Sequence, residues 1–336
     1  MNRNLSQFQW STDALEGPEP LVLAAIRGTD IRRNLPKEIF VKKPWRFCLK
    51  FWFAMVLIAL CCLIILGSGA FLLKVPAGIV LGLLYAHLIE LQHEALHEHA
   101  FRSRRLNRLY GIACGVFMLS SYSAYKYEHL RHHASLGKPG NREFFNYRFS
   151  GLDSWSGFVR AAFHLGRYLD VLRDIARSLV GLPLPNVSHA RDTKRIQVEY
   201  RLFAVLLLAV LVYTSATGDL FFVWAWWLPA LLVAEPTHFF IEMPEHFGLD
   251  TQTNPDVLAN TRTIKAGRFA QWFTNFNNLH TAHHFHQGVP MARSRELNQL
   301  VTSKFQEVEI SYLAFYRKVL RGEIKYGDSS ATCMTR

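Results

Sequence analysis

Paired cysteines are missing from this chain. Its five, Cys48, Cys61, Cys62, Cys114 and Cys333, show no common spacing and no CxxC, so neither a disulfide framework nor a sulfur-rich metal site is indicated. Several lie in or beside apolar segments, where a thiol behaves as a small hydrophobe. Internal repeats and low-complexity tracts are absent too, which excludes a repeat array. Acidic residues are scarce beside basic ones, 26 Asp and Glu against 38 Lys and Arg, for a formal net charge of +12. No signal peptide is expected: a long polar stretch precedes the first apolar run, and no small-residue cleavage site follows a short apolar core.

Apolar length is what the chain has instead. Half of its residues are hydrophobic, and Phe51 to Leu73 carries no charge. At about 1.5 Å per residue that run exceeds a hydrocarbon core of about 30 Å. Four spans are predicted, at about 51–73, 75–92, 202–216 and 220–240. The first two form a tight hairpin with Lys74 between them, and the last two turn at Thr217-Gly218-Asp219. Leu109 to Leu119 is apolar but too short to cross. Arg32, Arg33, Lys37, Lys42, Lys43, Arg46 and Lys50 precede the first span, and Arg102, Arg104, Arg105 and Arg108 follow the second. Because cytoplasmic loops carry excess Lys and Arg, both termini and the long middle segment are expected to be cytoplasmic, in a bacterial inner membrane or the endoplasmic reticulum. The basic excess answers to this asymmetry and to anionic lipid, with no nucleic acid partner.

The fold expected is therefore an all-α integral membrane protein, four transmembrane helices in two hairpins with a cytosolic helical cap. Residues 1–44 read as a polar cytosolic lead-in, 45–326 as the membrane domain and 327–336 as a disordered tail. Apolar residues from Trp155 to Leu179 recur at helical spacing, predicting an amphipathic helix over about 155–180 that either lies in the interface plane or packs on the protein's own cap. A last helical stretch follows Pro290.

Three histidine clusters supply the chemistry: His93-Glu94-Ala95-Leu96-His97, His129-Leu130-Arg131-His132-His133 and His280-Thr281-Ala282-His283-His284. Helical positions three and four apart share a face, so each cluster aims its imidazoles at one spot. Val75 to His93 and Leu220 to His238 each advance roughly 27 Å from the hairpin tips, which brings both spans' histidines to similar depth. His238, Glu242 and His246 continue a stripe of spacing four, made irregular by Pro236 and Pro244, so His246 is the stronger of its ends. A catalytic zinc takes three protein ligands and a structural one four, so these clusters exceed one ion and two metals are expected. Imidazole suits zinc, copper, iron and nickel alike. The histidines lie where a lipid chain can reach them.

In these clusters, in Tyr127-Glu128 before the second, in Glu245-His246, in Thr261-Arg262-Thr263-Ile264 and in Asn275-Phe276-Asn277-Asn278-Leu279 before the third, the sequence resembles the membrane fatty acid desaturase superfamily. The resemblance covers roughly residues 45 to 300. It implies a non-haem centre of two iron ions with O₂ as co-substrate and two externally supplied electrons, attacking an unactivated C–H bond. The product implied is a double bond in a fatty acyl or other lipid chain, or in other members a hydroxyl or keto group. By the same resemblance His93, His97, His129, His132, His133, His280, His283 and His284 match the box ligands, and His246 the additional histidine between the second and third boxes. Glu242, His238, Glu143 and Asn277 are expected as outer partners or further ligands, with no catalytic residue beyond the metal centre. Two departures stand out: Asn141-Arg142-Glu143 leaves only Glu143 as the acid after the second box, and Gln287 stands where Pro is usual. His87, His99 and His286 are read as structural residues or outer partners, and His164 and His189 as ordinary satisfied histidines.

The chain has no cytochrome b5-like His-Pro-Gly-Gly and no iron–sulfur cysteine pattern, so a separate ferredoxin- or cytochrome b5-like protein must supply electrons, docking on the basic face. Two readings from other classes compete. His93 to His97 also satisfies HExxH, the zinc-protease motif, but that leaves the other clusters unused. A metal transporter would want polar ligands along several spans, and Phe51 to Leu73 offers none.

Overall fold

The computed structural model describes residues 28–326 apart from 148, 150, 151, 153 and 186. The predicted tail and most of the predicted lead-in fall outside these residues. The chain divides into two units at residue 35, and α1 (Gly28–Arg33) belongs to the first. All that follows concerns the second.

Pro44 opens α2 (Pro44–Gly67) at the first-turn position, where its missing N–H costs nothing. The helix ends at Gly67-Ser68-Gly69, and α3 (Phe71–Leu96) begins directly after Ala70. The hairpin therefore turns at 68–70 rather than at Lys74. Two glycines weaken the helix more than one lysine does, and Lys74 folds into the first turn of α3 with its N–H on Ala70 O. Next come α4 (Arg104–Gly115), α5 (Tyr122–Ser135), α6 (Trp155–Phe163), α7 (Leu165–Leu179) and α8 (Ala190–Thr217). Among the described residues three helical segments are long and apolar enough to cross a membrane: Lys37–Gly67, Phe71–Leu96 and Ala190–Thr217.

The fourth predicted span is helical from 221 to 246, ending in α9 (Glu235–His246), but it runs through two π-helical stretches, Val223–Trp227 and Ala230–Ala234. A π turn frees backbone carbonyls, and one of them, Ala225 O, accepts the Tyr85 hydroxyl at 2.5 Å. This helix presses on α3 at Gly82, where a Cβ would stand 2.4 Å from Val233 Cβ and 2.6 Å from Pro229 O, so only glycine allows the approach.

α3 is the centre of the core, buried without a break from Leu84 to Leu96. α2 and α8 keep Leu63, Leu66, Val205 and Leu211 outward and exposed, an apolar exterior suited to lipid. α4, N-capped by the Ser103 hydroxyl, packs on α3 instead of crossing, and Gly111 makes room for the Tyr122 ring. That keeps the first and second clusters on one end of the bundle.

The amphipathic stretch forms two helices, not one. At His164 the backbone turns left-handed, φ 36° and ψ 42°, and α7 leaves at a new angle. The turn carries Arg167 into the interior, where Nε and Nη2 donate to Glu235 Oε1 and Oε2 at 3.0 and 2.7 Å. α7 packs one face on α8 and leaves Leu165, Leu169, Leu172 and Leu179 exposed on the other. After α9 come β1 (Thr263–Ile264), α10 (Arg268–Phe273), α11 (His280–Phe285), α12 (Ser294–Val301), β2 (Val308–Glu309) and α13 (Tyr312–Leu320). α12 is the helix expected beyond Pro290, with Leu297 and Val301 inward. The parallel β1–β2 pair was not expected.

Candidate metal centre

Four helix ends meet at this centre. α3 delivers His93 in its last turn and His97 as its C-cap, α5 delivers His129, His132 and His133, and α9 ends on His246. Left-handed Asn275 and Phe276 bend the chain just before the six-residue α11, which supplies His280, His283 and His284. All nine predicted imidazoles come together. His93, His97, His129 and His283 form one group and His132, His246, His284 and Glu143 another, each with its ligand atoms within 4.8 Å of one another. His133 Nε2 stands 3.0 Å from both His129 Nε2 and His283 Nε2, which adds it to the first group. His280 Nε2 stands 3.0 Å from His246 Nε2, which adds it to the second. The groups abut, with the His133 and His284 rings 4.1 Å apart.

Proton bookkeeping tests whether these residues fit a metal. His246 Nδ1 meets Asn260 O at 2.9 Å, and a carbonyl only accepts, so Nδ1 carries the proton and a neutral ring has a bare Nε2. His280 Nδ1 faces Asn277 Oδ1 at 3.4 Å and Glu245 Oε2 at 3.3 Å, acceptors again. Two bare nitrogens thus face each other at 3.0 Å, a repulsion that a cation turns into ligation. His132 Nε2 and Glu143 Oε1 lie 2.7 Å apart, yet neither has a hydrogen-bond partner. His97 Nε2 and His284 Nε2 are likewise buried and unpartnered. Convergent lone pairs without donors are what a metal requires.

The electrostatics agree. Burial, followed by crowding with other imidazoles, holds His133, His280, His283 and His284 well below the ordinary histidine range, and burial lowers His129. Ligation needs these rings unprotonated. Burial works against the Glu143 charge, but His132 and His129 outweigh it and hold the carboxyl well below its usual range.

Among the expected outer partners, Glu143 stands inside the second group, and its Oε2 also lies 3.3 Å from His129 Nδ1. Asn277 donates to Glu245 Oε1 at 2.6 Å, and the pair brackets His280. His238 and Glu242 enter neither group. His238 Nδ1 is 2.9 Å from the Tyr147 hydroxyl and 3.6 Å from Glu242, and its Nε2 is 3.7 Å from Glu90. The stripe from His238 to His246 therefore contributes its last member only. Sequence reasoning overlooked Glu245 and Asn141 as partners; Asn141 Oδ1 lies 3.0 Å from His132 Nδ1. Their adjacency to His246 and Glu143 was the available signal. His87 is structural, its Nδ1 2.6 Å from Phe273 O and its ring stacked on Trp272. His99 stacks on His97 at 5.2 Å, and burial lowers its pKa to about 3. Glu94, the would-be protease base, turns away from both groups and accepts from Asn275 Nδ2 at 2.8 Å.

A family model for fatty acid desaturases matches residues 69–316, a stretch that holds all three clusters, Glu143 and His246. The chain belongs to the fatty acid desaturase family. None of the curated proteins is significantly similar to it. Family membership and the three apolar helices make it a membrane protein and an oxidoreductase, and they set aside the protease reading of His93 to His97. For this desaturase-family centre, Glu245→Ala is expected to cost about 10–100-fold in metal affinity or turnover, because His280 loses the carboxylate that fixes its tautomer. Glu245→Gln should recover part of the loss. Chelator competition on the purified variants measures it, and unchanged affinity would remove Glu245 from the site.

Proposed function

We propose that this protein is an O₂-dependent desaturase that introduces a double bond into a fatty acyl or other lipid chain. Two iron ions are held by the nine histidines, with Glu143 as the acidic member of the second group. The observation that carries the reading is the pair of imidazole groups abutting at one end of an apolar bundle, with bare nitrogens 3.0 Å apart. When bound, the iron pair supplies the oxidation of an unactivated C–H bond, for which two electrons come from a separate ferredoxin- or cytochrome b5-like protein. The chain's own residues do the rest. Nine imidazoles and a carboxylate fix the positions of the metals, while Asn277, Glu245, Asn141 and the Asn260 carbonyl fix the rings. His93, His129 and His283 are buried, while His132, Glu143 and His246 line a cavity of about 80 Å³. The exposed leucines of α2 and α8 meet the bilayer from which the substrate comes, and the helix over 221–246 is the fourth crossing. Both termini and the centre then lie on the cytoplasmic side, where basic residues gather.

Expression in a host with suitable electron carriers, followed by lipid mass spectrometry, tests this. Loss of two hydrogens from a lipid class supports desaturation; gain of one oxygen means hydroxylation, and an unaltered lipid profile with active carriers refutes both. Glu94→Gln belongs in the same experiment. Its product yield and iron content are expected to stay within about twofold of the parent, since an exposed-from-the-metal Glu–Asn bond is conserved in kind. Abolished chemistry with intact metal would place Glu94 in the reaction itself.

A further inference from the structure

A second charged feature lies away from the metal centre. Where α2 meets α10 and α12 there is a cleft of about 330 Å³, with Arg46, Lys50, Arg268 and Arg295 in its wall and Trp272 and Phe276 beside them. Four cations face one carboxylate in its lining, so positive charge is in excess. Glu94, the carboxylate in the lining, is committed to Asn275, and nearby Glu296 is held by Arg293 at 3.0 Å and Lys43 at 3.7 Å. Arg46 and Arg295 each spend one nitrogen on a neutral acceptor, Ala292 O and Gln271 Oε1, which leaves the rest of each fork available. Exposed Arg268 makes no hydrogen bond or ion pair among the described residues. Lys50 is buried, donating to Asn275 Oδ1 at 2.7 Å and Trp272 O at 3.2 Å, and it seals the inner end. Burial and the like charges of Arg268 and Arg46 lower the Arg295 pKa against the opposing pull of Glu296.

More cations converge here than the one carboxylate can balance, and guanidinium forks match phosphate oxygens two at a time. The surroundings specify which phosphate. Leu49 lines the cleft 65% exposed, and Trp45, Trp52 and Phe53 continue an apolar ramp down α2, while Phe269, next to Arg268 in α10, is 74% exposed. Free phosphate has no use for such a ramp; an acyl chain does. We propose that this cleft seats the phosphate of an anionic glycerophospholipid, with its acyl chains lying along α2. The proposal rests on the membrane placement of α2 and not on the reaction catalysed. Through Lys50, Asn275 and Glu94 the bound headgroup touches the helix that carries His93.

The full-length protein is reconstituted in nanodiscs of equal phosphatidylglycerol and phosphatidylcholine, and co-purifying lipid is counted by native mass spectrometry. The parent is expected to retain the anionic lipid at least about tenfold over the zwitterionic one, and Arg268→Gln/Arg295→Gln is expected to approach parity. Arg268→Gln alone, a change at an exposed side chain, should give an intermediate ratio with helix content unchanged. Parity in the parent, or a preference that survives the double variant, overturns the proposal. So does displacement of the lipid by millimolar inorganic phosphate at undiminished dependence on Arg268, because the cleft would then take the free ion.

Discussion

His283→Ala and His284→Ala are expected to strip metal from different places. The two residues are neighbours on α11, yet His283 belongs with His93, His97 and His129, while His284 belongs with His132, His246 and Glu143. Consecutive helical positions differ by about 100°, which is how one short helix can serve two ions. Each variant should hold about half of the parent's iron, and the double variant almost none. Turnover should fall by more than about a hundredfold in each, beyond what the loss of an outer partner costs. Iron analysis of purified protein with single-turnover assays checks this. If either variant keeps full iron and turnover, its histidine is not a ligand.

Glu235→Ala should be the most destabilising single change away from the metals. Glu235 is fully buried and takes two nitrogens of Arg167 together with the Tyr168 hydroxyl at 3.1 Å, while Arg167 also donates to Met118 O at 2.9 Å. Removing the carboxylate leaves a guanidinium buried without its counter-charge, at a cost of about 3–5 kcal/mol. Replacing both, Glu235→Leu with Arg167→Met, should recover most of that, since well-packed apolar substitutes for a buried pair are often neutral. Denaturant titration in detergent measures both variants. An unchanged midpoint for Glu235→Ala would mean that the pair is not buried in solution.

Much of the candidate centre could be read from sequence because its histidines repeat at spacings of three and four, the periods at which helical side chains stack. Glu143 was legible for a different reason, as the acid remaining after the second cluster. Glu245 was not, because it lies one residue from His246 on another face of α9 and acts on His280 through a fold contact that no local pattern encodes. The stripe from His238 was overextended for the converse reason: spacing of four predicts a shared face, but not that the face stays at the centre along its length. The break at His164 has no proline to announce it and only Gly166 nearby, and the Arg167–Glu235 pair that accompanies it spans 68 positions. At the first hairpin the punctuation was misread, a lone lysine being taken over Gly67 and Gly69. Strands of two residues are too short to display a period at all.

The two wide turns in the helix over 221–246 change the angular register between its first residue and its last. A plain α-helix would fix the direction of His246 by the setting of Phe221. With the wide turns inserted, His246 points where an unbroken α-helical count from Phe221 would not put it.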